Sequence, residues 1–179
     1  MLYFKMKMQF IPVDYDYFDF EGRNYAKIIG RDDKGKRICI IDSCDVFFWA
    51  ILKDKISDKQ INSIREKIEK IQLSIKGRRT RVEKVELHSK KFLGKSVKAF
   101  KIFATNYKDL HDIADQLGMD EIEKRRGYDL GFISHYIIEK KIHPLNWYEI
   151  DGDIVNDTIH LACQNSSSAK NRLAPIKSY

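Results

Sequence analysis

The chain has 179 residues, 43% of them hydrophobic and 33% charged, a composition that fits one globular domain or two small subdomains and excludes a disordered chain. No apolar run approaches the roughly 18 residues that cross a bilayer, and the opening MLYFKMKMQF lacks a small-residue cleavage site, so neither a membrane span nor a signal peptide is expected. Lys plus Arg number 33 against 26 Asp plus Glu, a net charge of +7 that favours a polyanionic partner, while Cys39, Cys44 and Cys163 show no C-x-x-C spacing and suit a reducing, cytoplasmic compartment.

The first fifty residues read as strands. Gln9 to Phe20 alternates in part, and Asn24 to Arg31 and Lys36 to Asp42 flank the turn Asp32-Asp33-Lys34-Gly35, a hairpin signal because glycine supplies the positive φ of such turns. Val46 to Leu52 is a continuous apolar run of strand length, the pattern of a buried strand. The period then changes to 3.6. Ser57 and Gln60 form a capping-box pair ahead of Ile61, Ile64, Ile68 and Ile71, and this helix is expected to end near Gly77.

Two further strands are expected, Arg81 to Lys91 and Val97 to Ala104, joined through Phe92-Leu93-Gly94-Lys95. Asn106 caps a second helix with Tyr107, Leu110, Ile113, Ala114 and Leu117 on its apolar face and Gly118 at the position after its end. A third helix starts near Asp129, carries Phe132, Ile133, Tyr136 and Ile137, and stops before Pro144; Trp147 to Ile150 reads as a last strand. Strand, helix, strand, strand, helix, helix after residue 45 suits an α+β, two-layer plait of the ferredoxin or RNA-recognition type, preceded by an antiparallel hairpin or small barrel-like subdomain. The expected division is therefore 10–45 for the hairpin region and 46–150 for the plait. Residues 151–179, with Gln164-Asn165-Ser166-Ser167-Ser168, have the composition of a linker.

The chain is poor in catalytic motifs. Asp14, Asp16, Asp19 and Glu21 form its one dense carboxylate group, but alternation sets Asp19 on the opposite strand face from Asp14 and Asp16, so solvated charges are the expectation. His88, His111, His135, His143 and His160 show no zinc spacing, and no Walker loop, G-x-S-x-G or G-x-G-x-x-G occurs. Lys76-Gly77-Arg78-Arg79-Thr80-Arg81 holds four cations in six residues, a cluster able to contact backbone phosphates without reading sequence.

Val82-Glu83-Lys84-Val85-Glu86-Leu87 through Lys90-Lys91-Phe92-Leu93-Gly94-Lys95 resembles a segment of archaeal family B DNA polymerases in which a K-K-F-L-G-K-type turn joins two strands. The run Tyr128 to Leu145 is similar to the family's Y-D-I-P-F-x-x-R-Y-L-I-D-x-G-L-I-P helix, and Asn146-Trp147-Tyr148-Glu149 to the N-W-x-E step that follows it. Val13 to Gly22 and Val46 to Leu52 match the opening hairpins. Arg172 to Tyr179 resembles the strand that leads into the first exonuclease motif.

The resemblance spans about residues 10 to 150 and implies the N-terminal domain of a DNA-directed DNA polymerase, a nucleotidyltransferase of DNA replication, ending before the exonuclease domain. Its implied partners are template DNA and the exonuclease and polymerase domains of the same protein. No catalytic residue, cofactor or metal site is expected in this chain, the magnesium ions belonging to the parent polymerase. Arg78, Arg79, Arg81 and Lys95 are the candidate nucleic-acid contacts. In archaeal members the family also has a pocket that captures template-strand uracil. Tyr17 and Phe132 fall at aromatic positions near it, while Val46 and Ser96 replace prolines, Ala99 a valine, Phe47 a tyrosine and His135 an arginine. A degenerate pocket is the expectation. The same plait with basic loops also suits a free-standing module for single-stranded DNA or RNA, the alternative reading.

Overall fold

A computed structural model describes residues 5–75, 77–155, 158–160 and 173–175 of the chain. They fall into two compact units, one formed by residues 1–44 with 132–179 and the other by residues 45–131. The unit boundaries fall after residues 44 and 131. The last helix and strands group with the first hairpins because β9, Tyr148–Val155, pairs antiparallel with β1, Lys5–Phe20, which sets Tyr148 opposite Phe10 with both rings buried.

In the first unit β1 continues into β2, Arg23–Asp32, and β3, Arg37–Ser43. Strict alternation of buried and wetter residues along β2 and β3 puts Ala26, Ile28, Ile38 and Ile40 inward, as period-2 patterning requires. The turn between them forms where expected: Gly35 has φ 78°, and the Asp32 carboxylate accepts from the N–H groups of Lys34 and Lys36. β10, Thr158–His160, lies within the stretch expected to be linker, and β11, Leu173–Pro175, within the Arg172 to Tyr179 segment whose resemblance is to a strand. β10 pairs parallel to β3 and antiparallel to β9, and β9 reaches back to β1, so the six-stranded sheet curls into a half-barrel. The helix packed on β1 and β2 is α3, Phe132–Lys140, which buries Phe132, His135 and Tyr136. It stops at Lys141, which has φ 54°, three residues before the proline expected to end it.

The second unit begins with β4, Val46–Leu52. Its unbroken apolar run is explained by position: β4 is flanked on both edges, by β7, Lys95–Ala104, and by β8, Ile122–Arg126. Next comes α1, Asp58–Glu69, with the Ser57 and Gln60 capping box formed and Ile61, Ile64 and Ile68 buried. The helix ends well before Gly77. Its cap is Lys70, and Gln72-Leu73-Ser74-Ile75 switches to period 2 as strand β5, Gln72–Ile75, so Ile71 is not on the helical face. β5 forms a hairpin with β6, Arg78–Phe92.

A 3-10 turn at Tyr107–Asp109, capped by the Asn106 side chain, leads into the short α2, Leu110–Asp115. Gln116 caps α2, and Gly118 lacks the left-handed backbone expected of it. The sheet order is β5-β6-β7-β4-β8, with every adjacent pair antiparallel. β8 escaped the sequence reading because Ile122-Glu123-Lys124-Arg125-Arg126 is an edge strand whose charged residues hide any alternation. Among the described residues, no helix is long and apolar enough to cross a membrane.

Candidate nucleic-acid interface

The arginine cluster lies on the β5–β6 hairpin rather than at a helix-to-strand turn. Gly77 supplies φ 79° at its tip, and Ile75 stands opposite Arg78, Ser74 opposite Arg79 and Gln72 opposite Arg81. Arg79 and Arg81 are two residues apart on one strand, so both side chains leave the same face, and both are exposed. Thr80, between them, points the other way and is buried. The Arg78 backbone shares this ladder, and Lys76 lies outside the described residues. Two guanidinium groups spaced by one strand repeat are suited to adjacent phosphates.

Lys95 is exposed beside the turn formed by Leu93, φ 49°, and Gly94, φ 81°. It pairs with Phe92, at the far end of the β6–β7 ladder from Arg81. Eleven residues of strand separate those ends, roughly 35 Å, so Lys95 does not join the arginines in one cluster.

Of the positions assigned to a uracil pocket, Tyr17 and Phe132 come together, their ring centroids 5.8 Å apart at a 55° tilt. Phe132 is buried on α3, as is His135 one turn further along. The other four positions belong to the second unit. Val46 is opposite Ala104, while Ala99 is opposite Ile51, so antiparallel pairing sets Val46 and Phe47 at one end of the ladder and Ser96 and Ala99 at the other. The Phe47 ring instead packs on Phe103 and Trp49, at 5.6 and 6.0 Å.

One surface went unread in the sequence. Register places Phe47, Phe103 and Lys84 in one row across β4, β7 and β6, with Trp49, Lys101 and Glu86 in the next. Lys101 Nζ lies 3.6 Å from the centroid of Phe47, Lys90 Nζ 5.0 Å from that of Trp49 and Lys84 Nζ 5.6 Å from that of Phe103. At the neighbouring edge, Lys124 and Arg126 each approach the Phe92 ring to 5.7 Å. Glu86 is held by Lys84 and lies 3.0 Å from His88 Nε2; these contacts, Lys84 first, keep its carboxyl below the usual carboxylate range. Two alternations, Phe47-x-Trp49 and Lys84-x-Glu86-x-His88-x-Lys90, signal this face, but the uniformly apolar run of β4 conceals which alternate set is turned outward.

The acidic group at the end of β1 stays dispersed. Asp14 and Asp16 each accept from the next residue's N–H, at 2.9 and 2.8 Å, and Asp19 accepts from Asn24 Nδ2. Among the described residues no group of three or more His, Cys, Asp or Glu is arranged to hold a metal ion.

No family model matches the chain. A solved family B DNA polymerase from the hyperthermophilic archaeon Pyrobaculum calidifontis has the same fold over 96% of this chain, with a TM-score of 0.72, 19% identity and 21% of its own length covered. In sequence, the DNA polymerase of Thermococcus kodakarensis is 28% identical over 138 residues, 74% of this chain, and that of Thermococcus gorgonarius 27% over the same length. The matches span 8% and 16% of those relatives. The resemblance to archaeal family B DNA polymerases read from the sequence is therefore borne out.

Proposed function

We propose that this chain acts as the N-terminal domain of an archaeal-type family B DNA polymerase, a cytoplasmic protein of DNA replication. Its role is to contact template DNA and to pack on the exonuclease and polymerase domains. The catalytic carboxylates and their magnesium ions belong to those other domains. The single observation that carries the reading is the match to archaeal DNA polymerases over 74% of the chain. The strand order of the second unit supports it further. Counting β4, β6, β7 and β8 as first to fourth, the order across the sheet is fourth, first, third, second, which supports reading this unit as a ferredoxin-like plait with β5 added at one edge.

In this reading Arg79 and Arg81 hold phosphates of the template strand, fixing its path without reading bases. Fluorescence anisotropy on primer–template DNA between about 50 and 200 mM salt tests it. Each lost phosphate contact lowers the slope of log affinity against log salt by about 0.7 to 0.9, so the double variant R79A/R81A is expected to lose about 1.5 from the slope. An unchanged slope removes the hairpin from the interface. Failure of the unmodified chain to bind DNA at any salt overturns the reading.

A further inference from the structure

The sheet of the second unit has two faces of opposite character. One is covered: α1 packs on β6, and its Arg65 lies over the Phe100 ring, on the side where Phe48, Ala50, Phe100 and Ile102 are all fully buried. The alternate residues of the same strands, Phe47, Trp49, Phe103, Lys84, Lys90 and Lys101, share the other face. There Trp49 and Phe103 are part-exposed in the whole chain, Phe47 is buried beneath Lys101, and the Lys84 side chain is 61% exposed.

We propose that this face is a stacking platform for a single-stranded polynucleotide, with bases on the rings of Trp49 and Phe103 and phosphates on Lys84, Lys90 and Lys101. It rests on the reading of the chain as a DNA-contacting domain and names a second surface, distinct in residues from the arginine hairpin. Three observations select this occupant. The ligand must bring flat π-systems, because the Trp49 and Phe103 rings lie on neighbouring strands in successive rows two residues apart, and negative charge, because an ammonium group stands over each ring. An acidic peptide brings the charge without the flat rings, and a duplex keeps its base faces stacked inside. The lone carboxylate in these rows, Glu86, is already engaged by Lys84 and His88, so it offers the phosphates little repulsion. The lysines that now cover the rings sit on flexible stems, so a base can take the ring while the ammonium group swings to the adjoining phosphate.

The test uses the full chain in a Trp147→Phe background, leaving Trp49 as the sole indole. A short oligo(dT), an oligo(U) of equal length and inorganic polyphosphate are titrated while indole fluorescence and anisotropy of labelled oligonucleotide are followed. Quenching by the oligonucleotides but not by polyphosphate is expected, and the relative affinity of the two oligonucleotides tells whether the strand is DNA or RNA. W49A and F103A are each expected to weaken oligonucleotide binding about fivefold or more, with W49F recovering most of the loss, since stacking on one ring contributes that much. Circular dichroism and thermal melting confirm that each variant is folded, and F103A serves if W49A is not. Equal quenching by polyphosphate, or unchanged affinity in both folded variants, overturns the proposal. If affinity is unchanged there but falls in R79A/R81A, the platform alone is lost and the template-contact reading stands. If no oligonucleotide or primer–template DNA binds, both fall.

Discussion

The hydroxyl of Tyr136 donates a 2.8 Å hydrogen bond to Oδ2 of Asp42, and Lys140 Nζ lies 2.9 Å from the same oxygen. This contact ties α3 to β3 within the first unit, with Tyr136 fully buried and Asp42 nearly so. Tyr136→Phe leaves the buried carboxylate one donor short and is expected to cost about 1 to 3 kcal/mol. Asp42→Ala strips both Tyr136 and Lys140 of their partner and is expected to cost more. Urea unfolding of the two variants beside the parent chain checks the order and the size.

Alkali should destabilise the first unit through its buried phenols. Burial first, then the neighbouring Tyr148, pushes the Tyr15 hydroxyl from 10.0 to about 12. Burial also raises that of Tyr136, reinforced by the charge of Asp42 and the hydrogen bond to it. Below pH 10 the folded and unfolded chains hold the same phenolic protons and this stability is fully present. Above it the unfolded chain sheds protons that the folded chain keeps, so stability falls with rising pH through about 12, where the Tyr15 share is exhausted. Melting temperatures taken between pH 8 and 11.5 are expected to decline above about 10, less steeply in Tyr136→Phe. A flat profile refutes the effect.

Gly30 is opposite Pro12 beside the irregularity of β1, where a Cβ would overlap the carbonyl oxygen of Ile11 and the ring of Phe10. Gly30→Ala is therefore expected to cost about 1 to 3 kcal/mol by overpacking. Gly118 has open space around it and no left-handed φ, so Gly118→Ala is the matched control, expected to be near neutral. Chemical denaturation of the pair separates the steric effect from the general loss of a glycine.

Uracil and thymine are expected to bind with affinities within about tenfold of each other, since one methyl is worth only about 0.8 kcal/mol without a fixed wall to exclude it. Val46, Ser96 and Ala99 give no ring-stiffened or bulky wall, and β-sheet register holds Val46 apart from Ala99. Anisotropy on single strands differing in one base measures the ratio. A uracil preference above about tenfold shows a working pocket.

Local signals were legible where one physical rule decided the outcome. The Ser57 cap, the Asp32–Gly35 turn and the apolar strand Val46–Leu52 each follow from neighbours within a few residues. What the sequence concealed depends on distant partners. The tail strand β10 is short and pairs with β3, and β8 is a charged strip whose strand character comes from lying against β4. The arginines were legible as a run, but their hairpin was not, because Ile71 prolongs the helical spacing past the true end of α1. The aromatic face was hidden for a related reason: alternation in β4 becomes visible only once β6 and β7 fix which side of it is covered.

The half-barrel is closed by strands from both ends of the chain, with residues 45–131 inserted between them, and this imposes an order on synthesis. β1, β2 and β3 emerge early with open edges, whereas β9 and β10 arrive only after the whole inserted unit has been translated. The insert holds all its own strand partners and is free to fold first as a unit. A released chain cut after residue 147 would thus carry a protease-resistant insert and an N-terminal meander still exposed to cleavage, and extending it by the next dozen or so residues would close the meander.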